Sequence, residues 1–428
     1  MKICLLASEF YPIYGGIGRF FTDMCKTFKD KKEKLIIFNR TYRGKNIFDV
    51  LEYTKIFVLR DLLSLFKKRK HILYFLNSIW KILTAKNLKI YFKLSMLLYL
   101  FIKPKVLTSL LKNLSTIYPL VKKINPDLIY GSACDTVVMP LGFILSKFLG
   151  IKFICSAHGT DFLVRTRLSL KTYYLKAIDK IIVSSNRIKK LIKKINHLND
   201  NQLTIIPYGL FLQDHEIKQN IPQIKNELHI NPKDFILISV GRHAPRKNFQ
   251  LVIKAMKFLK KTYPYAQIKY FLIGSGQETE KLKIMTNNLG LKNEVIFLGA
   301  VNDTMKKKYL KASDVFIMPS IATKKSIEGF GIVYLEANYF KLPVIGTISG
   351  GILEAIEDRK SGLLIKPNDL NGLINAIVYL YENEEERKRM GEYGYNRVIN
   401  KYNWEFLANE YIKVFENIIK EQLKINLF

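Results

Sequence analysis

Short, continuous apolar runs alternate with helical stretches along most of the chain, and the alternation starts afresh at Phe235-Ile-Leu-Ile-Ser-Val240. The first series comprises Lys2–Ala7, Lys34–Phe38, Leu128–Tyr130, Lys152–Ala157 and Lys180–Ser184. The second comprises Phe235–Val240, Ile268–Ile273, Val295–Leu298, Val315–Met318 and Pro343–Ile345. Within a run, apolar residues follow one another instead of alternating with polar ones, so both faces of each strand should be buried. A parallel sheet covered by helices meets that condition. Two series in 428 residues fit two α/β domains of about 200 residues each. The stretch 213–234 is polar and carries Pro222 and Pro232, which suits a linker. The expected organisation is a first domain over 1–212, a linker over 213–234, a second domain over 235–402 and a long amphipathic helix over 403–428 that crosses back to the first domain.

One region interrupts this pattern and also concentrates charge. The net charge is +33, and the hydrophobic fraction of 48% is that of a folded protein. Residues 1–216 hold 37 basic and 14 acidic side chains, and 41–125 alone hold 17 and 3. A field of this sign attracts anionic surfaces, whether nucleic acid or lipid. Within 60–124, Lys67-Lys68-Arg69-Lys70 precedes apolar and aromatic runs punctuated by lysines. Basic and apolar residues at helical spacing suit helices lying in an anionic membrane interface. Core helices with solvated lysines would give the same pattern. The longest apolar stretch, 94–102, is about half of what a bilayer requires, so no transmembrane helix is expected. Lys2–Ala7 reads as a first strand and not as a signal peptide. Cys4, Cys25, Cys134 and Cys155 form no Cys-x-x-Cys pair; buried, reduced thiols in a cytosolic protein are expected.

The densest polar pattern is Glu328-Gly329-Phe330-Gly331-Ile332-Val333-Tyr334-Leu335-Glu336, after a strand ending in Met318-Pro319-Ser320. Its glycines allow close backbone approach to a ligand, and the helix start that follows offers free N–H groups to an anion such as pyrophosphate. Glu336, further along that helix, could hold a ribose diol with both oxygens. Gly241-Arg242-His243-Ala244-Pro245-Arg246-Lys247-Asn248 directly follows a strand. There, Arg242 and Lys247 would meet phosphate oxygens at the ligand-binding edge of a parallel sheet, although a solvated turn has the same composition. Ser349-Gly350-Gly351 to Glu354 follows the strand at 343–345. Gly15-Gly16-Ile17-Gly18 lacks the third glycine of a dinucleotide fingerprint, and so does Gly274-Ser275-Gly276. These departures speak against a nicotinamide or flavin enzyme. His158, with Gly159 and Asp161 at a strand end, suits a polar cluster beside a ligand, or a structural histidine.

Together these strings resemble family 4 of the retaining glycosyltransferases, with the GT-B fold. The resemblance is dense over 235–400: Gly241-Arg242 with Lys247-Asn248, Gly274-Ser275-Gly276, Pro319-Ser320, Glu328 to Glu336, Pro343 to Gly346, Gly350-Gly351 with Glu354, and Ser361-Gly-Leu-Leu364. It is thinner before that, resting on Glu9 to Gly18, His158-Gly159 with Asp161, and Asn186 onward to Ile206-Pro207-Tyr208-Gly209. Lys341 stands where the family often has Gly, and Tyr208-Gly209-Leu210-Phe211 replaces the commoner Asn-Gly-x-Asp.

The resemblance implies an α/β architecture of two Rossmann-like domains facing across a cleft, the second binding a nucleoside-diphosphate sugar. It implies that Arg242 and Lys247 bind the donor pyrophosphate and that Glu336 holds the ribose. Glu328 would contact the transferred sugar beside the backbone of Gly329, Phe330 and Gly331. Gly15 and Gly16 would line the site from the first domain, with His158 near donor sugar and acceptor and with Glu9 and Asp161 on the acceptor side. The sugar would pass, with retention, to a hydroxyl of a saccharide or lipid-linked acceptor in polysaccharide, lipopolysaccharide or glycolipid synthesis. No cofactor and no divalent metal is expected, because fixed cations neutralise the leaving pyrophosphate and no Asp-x-Asp pair is evident. The expected location is cytoplasmic, peripheral on the inner face of the membrane through 60–124. Two other classes compete. One keeps the fold for an epimerase or phosphorylase, whose arrangements are not seen. The other binds nucleic acid or membrane by charge alone; no nucleic-acid module is recognisable, and the donor motifs would then go unexplained.

Overall fold

The computed structural model describes residues 1–7, 24, 34–39, 55–58, 114, 117–134, 138–163, 171–324 and 326–426. Glu9, Gly15, Gly16 and most of 60–124 lie outside them. The chain divides into two compact units. The first comprises Met1–Ser184, Lys189–Ile206 and Ala408–Phe428. The second comprises Ser185–Ile188 and Pro207–Leu407.

Among the described residues, the first unit is built on seven parallel strands. In chain order these are β1 (Lys2–Ala7), β2 (Lys34–Asn39), β3 (Lys55–Val58), β4 (Leu128–Gly131), β5 (Lys152–Ala157), β6 (Lys180–Val183) and β7 (Leu203–Ile205). Their spatial order is β3-β2-β1-β4-β5-β6-β7. The helix Val138–Leu149 buries its first nine residues, and the last helix, Trp404–Asn426, contributes its C-terminal part to this unit. There Phe415 packs 5.1 Å from the Tyr130 ring, and Gln422 Oε1 accepts the Lys152 N–H at 2.8 Å.

The second unit carries six parallel strands. These are β8 (Phe235–Val240), β9 (Ile268–Ile273), β10 (Val295–Gly299), β11 (Val315–Ile317), β12 (Val344–Thr347) and β13 (Gly362–Ile365), ordered β10-β9-β8-β11-β12-β13. All of β8 is buried, as its unbroken apolar run requires of a strand with neighbours on both sides and helices above and below. Its one polar side chain is satisfied inside: the Tyr270 O–H donates to Ser239 Oγ at 2.8 Å, and the Ser239 hydroxyl donates to the Ile317 carbonyl. Chain direction across the sheet reverses between β8 and β11. Open α/β sheets bind ligands outside the strand C-termini at such a switch point.

Ten of these strands coincide, within two residues, with apolar runs. The other three, β3, β7 and β13, lie at the edges of their sheets, where a strand has a neighbour on one side only and a short run is less constrained to be apolar. The stretch 213–234 carries a short 3-10 turn, Leu212–His215, and the helix Ile221–Glu227, and it groups with the second unit. Lysines of the helix Asp303–Lys311 hold it there. Lys311 donates to the carbonyls of Ile217 and Gln219 at 2.8 and 2.7 Å, Lys307 to that of Asp214, and Lys308 pairs with Glu227 at 2.6 Å.

Candidate functional site

The C-termini of β8 and β11 present two loops that meet at one carboxylate. After β8 the chain turns through Gly241-Arg242-His243-Ala244 into a 3-10 turn, Pro245–Lys247, which ends at Asn248 in the left-handed region, φ 54°. Asparagine tolerates that conformation. After β11 it runs through Met318 to Gly331, the N-cap of the helix Ile332–Tyr339. The Ile321 N–H donates to the Arg246 carbonyl at 2.8 Å, which joins the two loops. Glu328 stands between them. Its Oε2 accepts from Lys247 Nζ at 2.7 Å and from the Arg246 guanidinium, while Lys247 Nζ also lies 3.1 Å from Met318 Sδ. Burial pushes the Glu328 carboxyl up, but Lys247 and Arg246 together outweigh it and hold the group at about 2. Burial also pushes the Lys247 ammonium down, with Glu328 opposing and the neighbouring Arg246 and Arg242 charges adding to the depression. Arg242 itself is exposed at the strand end.

The second carboxylate of the string, Glu336, is 6% exposed and held in the same one-sided way. Its Oε1 accepts from Lys306 Nζ at 2.8 Å and lies 3.9 Å from His215 Nε2. Lys306 is shared with Asp303 at 2.9 Å. Burial raises the Glu336 carboxyl, and Lys306 and His215 overcome it to hold it at about 2.

Backbone contact explains several of the glycines. A Cβ on Gly351 would stand 1.8 Å from the Gly329 carbonyl oxygen, and the Gly351 N–H donates to the Glu328 carbonyl at 3.0 Å. The Gly350-Gly351 turn therefore braces the loop that carries Glu328. A Cβ on Gly274 would stand 2.0 Å from the Gly241 oxygen, so the Gly274-Ser275-Gly276 string serves close packing under the Arg242 loop. Phe330 is buried with its ring edge-on to Tyr208 at 5.8 Å and to Tyr402 at 5.7 Å; Tyr208, unusual for the resemblance, thus packs behind the site loop. Glu354 accepts the N–H groups of Asn186 and Arg187, both at 2.9 Å, inside the second unit.

In the first unit the strand-end polar cluster is held differently. Asp161 accepts the backbone N–H groups of His158 and Gly159 on Oδ1, both at 2.9 Å, and that of Cys134 on Oδ2 at 3.0 Å. His158 Nε2 is 2.6 Å from the Ser132 carbonyl oxygen, which accepts the Nε2 proton. Cys134 and Cys155 are buried with Sγ atoms 3.1 Å apart. Among the described residues there is no cluster of three or more His, Cys, Asp or Glu that could hold a metal, and no helix is long and apolar enough to cross a membrane.

The structure thus brings Arg242, Lys247, Glu328 and the Gly329–Gly331 loop to one strand edge, Glu336 to the helix behind it, and His158 with Asp161 to an edge of the other sheet. Sequence reasoning gave no role to Arg246, Lys306 or His215. Arg246 stands unremarked beside Lys247, nothing in the spacing marks out Lys306 among Lys306-Lys307-Lys308, and His215 falls in the stretch read as a linker.

Two family models match: Glycosyl transferases group 1 over residues 220–397 and Glycosyl transferase 4-like over 97–185. The Escherichia coli UDP-Gal:alpha-D-GlcNAc-diphosphoundecaprenol alpha-1,3-galactosyltransferase is 27% identical over 303 residues, 68% of this chain and 76% of that protein. The Mycolicibacterium smegmatis GDP-mannose-dependent alpha-(1-6)-phosphatidylinositol monomannoside mannosyltransferase is 28% identical over 171 residues, 40% of this chain and 44% of that protein. Among solved structures, Anabaena Alr3699/HepE in complex with UDP and glucose superposes with a TM-score of 0.71 at 17% identity, covering 97% of this chain and all of that one; at that identity the likeness establishes the GT-B fold alone. Motif order, fold and family models agree: the chain is a nucleotide-sugar-dependent glycosyltransferase, and its residues 220–397 match the group 1 glycosyl transferases.

Proposed function

We propose that the chain moves a hexose, with retention, from a nucleoside-diphosphate sugar to a hydroxyl of a lipid-linked saccharide in cell-envelope or glycolipid synthesis, without a divalent metal. The reading is carried by the convergence of Arg246 and Lys247 on Glu328 at the switch point of the second sheet. Arg242 and Lys247 take the two donor phosphates. When the bond between the anomeric carbon and the phosphate oxygen breaks, negative charge grows on that oxygen. Fixed cations and the N-terminus of the helix Ile332–Tyr339 stabilise it without reorganising. The acceptor hydroxyl attacks from the face the leaving group vacates, and its proton passes to the departing phosphate oxygen. Glu328 orients the sugar through a hydroxyl, and Glu336 holds the ribose. The acceptor class follows the two relatives, whose names place their acceptors on diphosphoundecaprenol and phosphatidylinositol. A cytoplasmic location on the inner face of the membrane is part of the same reading.

A thermal-shift panel of UDP- and GDP-hexoses, run with and without chelator, tests it, because a ligand of the folded state raises apparent stability by mass action. One base family stabilising the protein equally in chelator, with the shift reduced in Glu336→Ala, is the expected result. A shift that vanishes in chelator sinks the metal-free mechanism, and one unchanged in Glu336→Ala removes the ribose assignment.

A further inference from the structure

Glu328 and Lys247 have conflicting duties under the proposed function, on which this inference rests. Lys247 holds the Glu328 carboxylate at 2.7 Å yet must turn its charge toward a donor phosphate. Glu328 lies in a buried setting, its side chain 13% exposed. A carboxylate left there without a cation takes up a proton. Arg246 removes the conflict. It comes from the same 3-10 turn, pairs with the same oxygen, Oε2, and is anchored from behind by its own carbonyl, which accepts the Ile321 N–H at 2.8 Å. With Oε2 occupied twice over, Oε1 is the oxygen left to face a sugar hydroxyl. We propose that Arg246 is a positioning residue that keeps Glu328 anionic and fixed in orientation when Lys247 is engaged by the donor. A planar guanidinium suits that task because it stays charged in any protein environment and binds carboxylate in a defined plane.

The assignment makes a specific demand on the pH dependence of turnover. In the free enzyme either cation keeps Glu328 ionised. In the donor complex only Arg246 does. Without it, a new acidic limb should appear in kcat, which reports the complex, at higher pH than in kcat/KM, which reports the free enzyme. A loss of folding alone would lower both parameters at every pH.

The experiment measures nucleoside diphosphate release from UDP-glucose, UDP-galactose, UDP-N-acetylglucosamine and GDP-mannose, and takes the pH profile with the donor giving the highest rate. In Arg246→Ala, kcat should fall about tenfold per pH unit below the new carboxyl titration. Arg246→Lys should restore a profile close to wild type. The limb should be absent from the Arg246→Ala, Glu328→Gln double variant, where no carboxyl remains to titrate. Arg246→Gln carries the same test should the alanine variant not fold. A profile in Arg246→Ala and Arg246→Gln parallel to wild type, while Glu328→Gln alone slows release, overturns the role of Arg246 and leaves the reading of Glu328 intact. Unchanged release in Glu328→Gln overturns that reading itself.

Discussion

The two sheets share the strand order that builds a switch point, yet their C-terminal edges are held in different ways. In the second unit, two carboxylates are each fixed by side-chain cations: Glu328 by Arg246 and Lys247, Glu336 by Lys306. In the first, one carboxylate, Asp161, is fixed by three backbone N–H groups, and the neighbouring His158 is tied to a carbonyl. Side-chain cations can leave a carboxylate for an incoming anion; backbone amides cannot. The second edge is therefore exchangeable and suits a charged ligand that arrives and leaves. The first is a fixed frame that suits an uncharged group.

The largest effect should come from removing the anion of the exchangeable edge. Glu328→Ala leaves buried Lys247 and half-buried Arg246 without their carboxylate and should cost the second unit about 3–5 kcal/mol, read as lost amide-exchange protection in 235–402 with 1–184 unaffected. Equal loss in both units would erase the contrast. Next, Gly351→Ala forces a Cβ against the Gly329 oxygen and should cost about 1–3 kcal/mol by overpacking, with donor affinity lowered alongside; a silent substitution would mean that the loop carrying Glu328 is not braced there. Acidification should separate the units without any mutation. Glu328 and Glu336 titrate near 2 in the fold against 4.5 in the free chain. A depressed carboxyl contributes stability that is complete above 4.5 and lost as pH falls toward 2. Protection of the second unit should thus decay across that window, and less steeply in Glu328→Gln or Glu336→Gln. The smallest effect is assigned to Asp161→Asn, which keeps an acceptor oxygen for the His158 and Gly159 N–H groups, loses the one for the Cys134 N–H, and should cost about 1–2 kcal/mol. A loss rivalling that of Glu328→Ala would show that the first edge also depends on charge.

Legibility in the sequence followed the same physics. Strands flanked on both sides are largely apolar, so β1, β8 and β9 could be read directly, whereas β7, at the edge of its sheet with Thr204 at its centre, offers no pattern. The string from Glu328 to Glu336 was visible because backbone turns and a helix start constrain residue type at fixed spacing. Arg246 and Lys306 were not, since nothing local distinguishes a cation that folds back onto a carboxylate 82 or 30 residues away from one in water. The same holds for Lys307 and Lys311, whose ammonium groups cap carbonyls of a segment nearly a hundred residues upstream. Glu9, Gly15, Gly16 and most of the basic region 60–124 lie outside the described residues.

The meeting of Gly351 with the Gly329 carbonyl has a consequence for redesign. Two peptide planes abut there with no side chain between them, so the placement of Glu328 is set by bond lengths and angles, which substitution cannot adjust. Attempts to alter which sugar is accepted should leave 328–331 and 349–351 untouched and vary residues around them. A library that randomises either segment would mostly sample broken loops and few new specificities.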